Sequence, residues 1–240
     1  MPLIKVRRRF KESNVLFQSD RAEAIDAAID AVRRHRLELE TYIRLHPPFA
    51  EALQPISVEP VAPRVVRRMV EAAAMADVGP MAAVAGALAD LAVEAMTQAG
   101  SRVSIVEDGG EVSAVSQEPF TVGLYAGQSA LGQALGFRIS PSDCPIGIAT
   151  SSATVSHALS FGEADAATVF AENAALADAA ATAVCNTVVG EDVAASIELG
   201  LEAARRLRFV RGALIVRGDY VGSVGWIPGL VRVSEDEVPS

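Results

Sequence analysis

Hydroxyls, one imidazole and two carboxylates crowd into a single stretch, Gly147-Ile-Ala-Thr-Ser-Ser-Ala-Thr-Val-Ser-His157 continuing through Glu163 to Asp165. Thr150, Ser151, Ser152 and Thr154 are small neutral donors, the set a loop uses to wrap phosphate or another oxyanion. The same residues also suit a Ser/Thr turn that satisfies its own backbone. His157 is flanked by small polar residues and has the chemistry to contact phosphate, shuttle a proton or ligate a metal; a structural histidine is the plainer alternative. Further on, Asp178 and Thr182 are four apart in an alanine-rich helical pattern and so share a face. A carboxylate beside a hydroxyl suits magnesium, which takes oxygen ligands and few protein groups. Helix capping by Asp178 or back-bonding by Thr182 would use the same residues without a metal.

Weaker signals lie elsewhere. Gly79-Pro80 at a helix start offers free N–H groups to an anion, or simply makes a tight turn. Asp108-Gly109-Gly110 between two strand patterns reads as a hairpin turn, and its glycines would also let a ligand approach the backbone. A Ser152, His157, Asp165 triad lacks any Gly-x-Ser-x-Gly elbow. Cys144 and Cys185 are too few for a disulfide framework and lack zinc spacing, so a reducing, cytoplasmic setting is expected.

The elements that must position these groups can be read from periodicity. Leu3 to Arg9 and Asn14 to Gln18 alternate as strands, and Asp20 with Glu23 resembles a capping box opening a helix from about Arg21 into the forties. Pro47, Pro48, Pro55 and Pro60 make the stretch to Pro63 a rigid connection with one helical turn. Helices are expected from Pro63 to near Asp77, from Val78-Gly79-Pro80 through an Ala/Gly-rich run, from Ala175 to Val188, and from Asp192. Strands are expected at Val103 to Val106, Glu111 to Val115, Thr121 to Tyr125 and Phe137 to Ile139 as one meander, at Thr168 to Ala171, and as a terminal hairpin around Gly218-Asp219. Helices mixed with antiparallel strands indicate an α+β fold, one domain over residues 1–240 or two closely joined lobes.

Composition narrows the function classes. The chain has 240 residues, half of them apolar, enough for a large core. A net charge of −9 with scattered Lys and Arg argues against nucleic-acid binding. Val78 to Met96 carries Asp90 and Glu94 and reads as a buried helix rather than a membrane span, and the basic-apolar start lacks a secretory h-region.

Several separated segments together resemble a bacterial and archaeal family of the ApbE-like superfamily. They are Arg8-Arg-Phe-Lys-Glu-Ser13, His46-Pro-Pro-Phe49, Val78-Gly-Pro-Met-Ala-Ala-Val-Ala-Gly86, Glu107-Asp-Gly-Gly110, Gly147 to Asp165 and Leu176 to Thr182. More distantly, the chain is similar to FAD:protein FMN transferases, which use FAD and magnesium to attach FMN to a Thr of a target protein. That resemblance places Asp178 and Thr182 on the magnesium motif Ala-Asp-Ala-x-x-Thr and His157 on the His that touches the flavin nucleotide. Ala85 stands where transferases carry the Lys of Ala-Lys-Gly, and their Asp-Pro-Arg-Thr-Gly run is replaced around Ser160-Phe161-Gly162, which argues against flavin transfer. Nearer relatives show Gly-Ile-Cys-Thr-Ser-Ser-Gly and Asn-Gly-Gly where this chain has Ala149, Ala153 and Asp108.

The expectation is a site for a flavin nucleotide such as FAD, or another phosphorylated small molecule, with magnesium. Gly79, Gly109, Gly110, Thr150, Ser151, Ser152 and His157 would contact the ligand, and Asp178 and Thr182 the metal. The alternatives are a non-catalytic protein with a degenerate site, associating with a partner or with itself, and sulfur handling through Cys144 or Cys185. The last follows from the resemblance, since family members have been connected with sulfur assimilation in anaerobes.

Overall fold

The structure is a computed structural model describing residues 3–11, 13–124, 135–152 and 162–233. Its centre is an eight-stranded antiparallel sheet in the order β1-β2-β3-β4-β7-β8-β9-β10. The strands are β1 (Ile4–Phe10), β2 (Ser13–Ser19), β3 (Val103–Asp108), β4 (Glu111–Ser116), β7 (Ile146–Ser151), β8 (Ala166–Ala171), β9 (Gly212–Arg217) and β10 (Tyr220–Gly225). A second, three-stranded sheet is formed by β5 (Phe120–Leu124), β6 (Leu135–Ile139) and β11 (Gly229–Arg232) in the order β11-β6-β5. The helices are α1 (Ala22–Leu45), α2 (Pro48–Glu51), α3 (Arg64–Ala76), α4 (Val84–Gln98), α5 (Ala174–Thr187) and α6 (Val193–Arg206). Antiparallel sheets packed with alanine-rich helices are the α+β arrangement the patterns imply.

Strand alternation decides which side chains meet which layer. Val103, Ile105, Val112, Ala114, Ile146, Ile148, Ala166 and Phe170 face the small sheet, where Phe137 packs edge-on to Phe170 at 4.9 Å. Each such buried ring stabilises the fold by about 2–3 kcal/mol. The alternate residues face the helices: Val15, Phe17 and Val106 meet α1 and α4, while Ala149, Ala167, Val169 and Ala171 meet α5 and α6.

Small residues on nearly every side of α4 let it pack among other elements. Ala89, Ala92, Val93 and Met96 join the core under α1, and Ala87, Leu88 and Leu91 join that of α3 and α5. The run Pro80–Gln98 is long and apolar enough to cross a membrane, but most of it lies inside the protein.

Three expectations need correction. The four strands from Val103 to Ile139 are not one meander: β3 and β4 lie in the large sheet, and β5 and β6 pair only within the small one. Local alternation marks strands but carries no information about which sheet they join. Secondly, β7 occupies 146–151, read as loop because its hydroxyls and glycine hide a strand that is buried on both faces. Thirdly, Asp20 does not cap α1, whose N-cap is Arg21 without a side-chain bond. The Asp20 carboxylate instead accepts from the Ser101 hydroxyl at 2.8 Å and from the N–H groups of Arg102 and Val103, pinning the start of β3.

Candidate functional site

Two carboxylates organise the crossing of α4 and α5. On α5, Asp178 reaches the N-terminus of α4, where its Oδ2 accepts the Gly86 N–H at 3.0 Å. Asp90 on α4 does the reverse: it accepts the Ala174 N–H at 2.9 Å and the Ala175 N–H at 3.0 Å, the first donors of α5, and the Ser113 hydroxyl at 2.7 Å. The first N–H groups of a helix lack intrahelical partners, and here each helix supplies an acceptor to the other. Asn173 is the N-cap of α5, accepting from Leu176 N–H, so Asp178 caps a different helix from its own.

The crossing is close because Gly86 has no side chain. A Cβ there would lie 2.3 Å from the Ala174 carbonyl oxygen. Behind the pair, Gly147 on β7 lets the start of α5 rest on the sheet, where a Cβ would lie 2.0 Å from the Asn173 carbonyl group.

Asp178 is half-buried and faces the β3–β4 hairpin, closed by the pair Asp108 and Glu111 around Gly109-Gly110. Gly109 adopts φ of +74°, which glycine accepts without strain. Burial raises the Asp178 pKa to about 8; the Gly86 and Ala85 N–H groups oppose this, and the charges of Asp108 and Asp90 add to it. Glu111 is pushed well above the usual carboxylate range, by burial first and then by Asp178 and Asp108. A cation would relieve the mutual repulsion of these groups. Among the described residues no three His, Cys, Asp or Glu side chains gather closely enough to hold a metal alone. The donor set at Asp178 and Thr182 is carboxylate and hydroxyl oxygen, which fits a hard ion that keeps water or phosphate among its ligands.

The other expected residues are placed unevenly. Gly110 lies against Thr150: its carbonyl accepts the Thr150 N–H at 3.2 Å, and an added Cβ would lie 3.0 Å from the Thr150 carbonyl oxygen. The hairpin tip and the end of β7 are therefore one surface. Alternation divides the hydroxyls, however. Thr150 shares the face of Ile146 and Ile148, away from α5, and its hydroxyl pairs with that of Thr168 at 2.9 Å. Ser151 shares the α5-facing side of Gly147 and Ala149, and Ser152 follows it, both buried. His157 and Thr154 lie outside the described residues.

Gly79 is buried, and a Cβ there would lie 1.7 Å from the Ala52 carbonyl oxygen, so close backbone contact accounts for this glycine. It precedes a 3-10 turn, Pro80–Ala83, and α4 begins only at Val84; Gly79 does not present the α4 terminus to a ligand. Asp165 accepts the Gly218 N–H at 2.6 Å in the β9–β10 turn. Cys185 is wholly buried in the α5 core, and burial pushes the Cys144 thiol up, away from the reactive thiolate that sulfur handling would need there.

Asp90, Glu111 and Gly86 complete this centre, and their roles were not anticipated. Asp90 had a visible signal, a carboxylate inside an alanine-rich helix. A cavity of about 360 Å³ lies beside Asp90, between α3, α4 and β4; Asp178 and the hairpin glycines do not line it.

Comparison with known proteins agrees with this architecture. A family model described as "AbpE bacteria" matches residues 5–202. A UPF0280 protein of Methanosarcina barkeri is 42% identical over 230 residues, covering 95% of this chain and 89% of that protein. One from Methanocaldococcus jannaschii is 41% identical over 227 residues, covering 94% and 92%. Among solved structures, the flavinyl transferase ApbE of Pseudomonas stutzeri superposes with a TM-score of 0.59 at 14% identity, covering 93% of this chain and 94% of that one. The ApbE protein of Thermotoga maritima does so with a TM-score of 0.56 at 14% identity, covering 89% and 94%. The likeness to these structures is one of fold; with the family model matching most of its length and archaeal UPF0280 proteins above 40% identity, the chain belongs to the AbpE bacteria family.

Proposed function

We propose that this protein binds a flavin nucleotide such as FAD, or a similar phosphorylated small molecule, together with magnesium, where α5 meets the start of α4 and the β3–β4 hairpin. The observation that carries this reading is Asp178: its carboxylate is fixed by the Gly86 N–H and faces Asp108 and Glu111, with its proton affinity raised to about pKa 8. Such a group is poised to exchange a proton for a cation. Thr182, one turn on, supplies the second oxygen. When bound, magnesium would neutralise phosphate oxygens that the surrounding carboxylates would otherwise repel.

The chain's own groups then divide the work. Asp178 and Thr182 hold the metal, the exposed Gly109-Gly110 tip lets a ligand approach the backbone, and Ser151, Ser152 and His157 contact phosphate. The structural neighbour described as a flavinyl transferase supports a flavin nucleotide as the ligand. Ala85 leaves out the transferase Lys, so the reading stops at binding and does not extend to transfer.

Thermal-shift titration with FAD, FMN, ADP and ATP, each with and without magnesium, tests it, because a ligand bound only by the folded state raises the melting temperature. A magnesium-dependent rise with FAD or another of these nucleotides, lost in Asp178→Asn, is expected. No shift with any nucleotide would overturn the reading and leave a degenerate site with a protein partner.

A further inference from the structure

Among the described residues no strand pairs with the outer side of β1, and this edge strand also carries a row of cations. Lys5, Arg7, Arg8 and Arg9 are all exposed, in a chain whose net charge is −9. Alternation places Lys5, Arg7 and Arg9 on one face of the sheet, while Val6 and Phe10 turn inward against the α1 core. Same-face side chains on a strand are about 6.6–6.8 Å apart, the spacing of same-face groups on any paired strand.

The backbone has the same parity. Phe10 pairs with Ser13, with only two residues between them in the chain, and a pair that close exchanges both its hydrogen bonds. Counting back in twos, Phe10, Arg8, Val6 and Ile4 bond to β2. Lys5, Arg7 and Arg9 therefore direct their N–H and C=O groups outward, away from the sheet. The Arg7 carbonyl fits this assignment: it accepts the guanidinium of its neighbour Arg8 at 3.2 Å. The three residues carrying the cationic row thus also carry the outward backbone groups.

We propose that the outer edge of β1 docks an extended acidic segment of a partner protein, which adds as a further strand and sets its carboxylates against Lys5, Arg7 and Arg9. The edge supplies main-chain hydrogen bonds and the cationic row supplies selection. A second copy of this chain is disfavoured, because its β1 would bring the same cations into opposition. Nucleic acid would use the charges but not the outward N–H and C=O groups, and would meet repulsion from the rest of the molecule.

The probe is a short end-capped peptide alternating Glu and Val, followed by fluorescence anisotropy at low salt. A Lys/Val peptide and an oligothymidylate serve as comparators. The Glu/Val peptide is expected to bind, to weaken with salt, and to lose binding when its edge-facing amides are N-methylated. Arg7→Gln should weaken binding by about two- to fivefold through lost charge. Arg7→Pro should weaken it by about tenfold or more, because proline also removes the outward N–H while leaving the β1–β2 ladder intact. Absence of peptide binding, equal effects of Arg7→Gln and Arg7→Pro, insensitivity to N-methylation, or preference for the oligothymidylate would each overturn the proposal. The N-methyl comparison uses the unaltered protein and holds even if the proline variant folds poorly.

Discussion

Asp90 and Asp178 are chemically alike and sit in facing helices, yet their surroundings give them different tasks. Asp90 is buried and fully engaged, with two backbone N–H groups and the Ser113 hydroxyl as donors. Burial raises its pKa; the Ser113 hydroxyl and the Ala175 and Ala174 N–H groups oppose the rise, as does Arg68. Asp178 is only half-buried and turns toward other carboxylates. Asp90 is accordingly a structural acceptor. Asp90→Ala should lower stability by about 2–5 kcal/mol, because it strands the first N–H groups of α5 in the interior. Ser113→Ala should cost only about 1 kcal/mol, since one hydroxyl donor is lost without orphaning the helix. Urea denaturation of the two variants checks the ranking.

The α4–α5 contact depends on the absence of atoms at Gly86. An added Cβ would lie 2.3 Å from the Ala174 carbonyl oxygen and 2.8 Å from the Ala175 nitrogen, both backbone atoms that cannot swing aside. Alanine favours a helix interior over glycine by about 1 kcal/mol, yet the forced separation of the helices exceeds that gain. Gly86→Ala should therefore destabilise by about 1–3 kcal/mol and weaken any magnesium-dependent ligand binding, since it moves the N–H that fixes Asp178. Gly229→Ala, where an added Cβ meets nothing within 4 Å, should change stability by less than about 0.5 kcal/mol. Thermal melts of the pair test the claim, and it fails if Gly86→Ala melts at or above the parent.

At the scale of the molecule, raised and lowered carboxylates give opposing pH dependences. Asp178 moves from 3.8 to about 8 on folding, and Glu111 also moves up. Between those values the folded state holds more protons than the unfolded chain, so stability falls as pH rises from about 4 to about 8. Asp20 runs the other way. Burial pushes its pKa up, but the Ser101 hydroxyl, the Val103 and Arg102 N–H groups and the Arg102 guanidinium outweigh this and hold it at about 2. Its contribution is present above the unfolded value of 3.8 and is lost as pH falls toward 2. Without metal, the melting temperature should be higher at pH 5 than at pH 8, with about 2–4 °C for each kcal/mol lost. Magnesium should raise it at pH 8 and not at pH 5, where it must compete with the proton on Asp178. Asp178→Asn should flatten the alkaline limb, and scanning calorimetry across this range reads both effects.

Taken alone, the sequence determined most elements and their class, because apolar periodicity and turn residues are local properties. The helices of Ile25 to Val32 and Val65 to Ala73 and the hairpin at Gly109-Gly110 needed no partner to be legible. It also brought out Asp178 and Thr182, through their spacing on one helical face. Tertiary structure decided what those residues meet. That Asp178 caps α4 and Asp90 caps α5, 92 and 84 residues away along the chain, follows from a crossing made possible by Gly86, which no local pattern encodes. The same holds for Thr150, set apart from Ser151 by strand alternation that mattered only once β7 was placed between β4 and β8. Hydrogen-bond partners and mutual charge are properties of space, and they separate Asp90, saturated by donors, from Asp178, which faces other carboxylates.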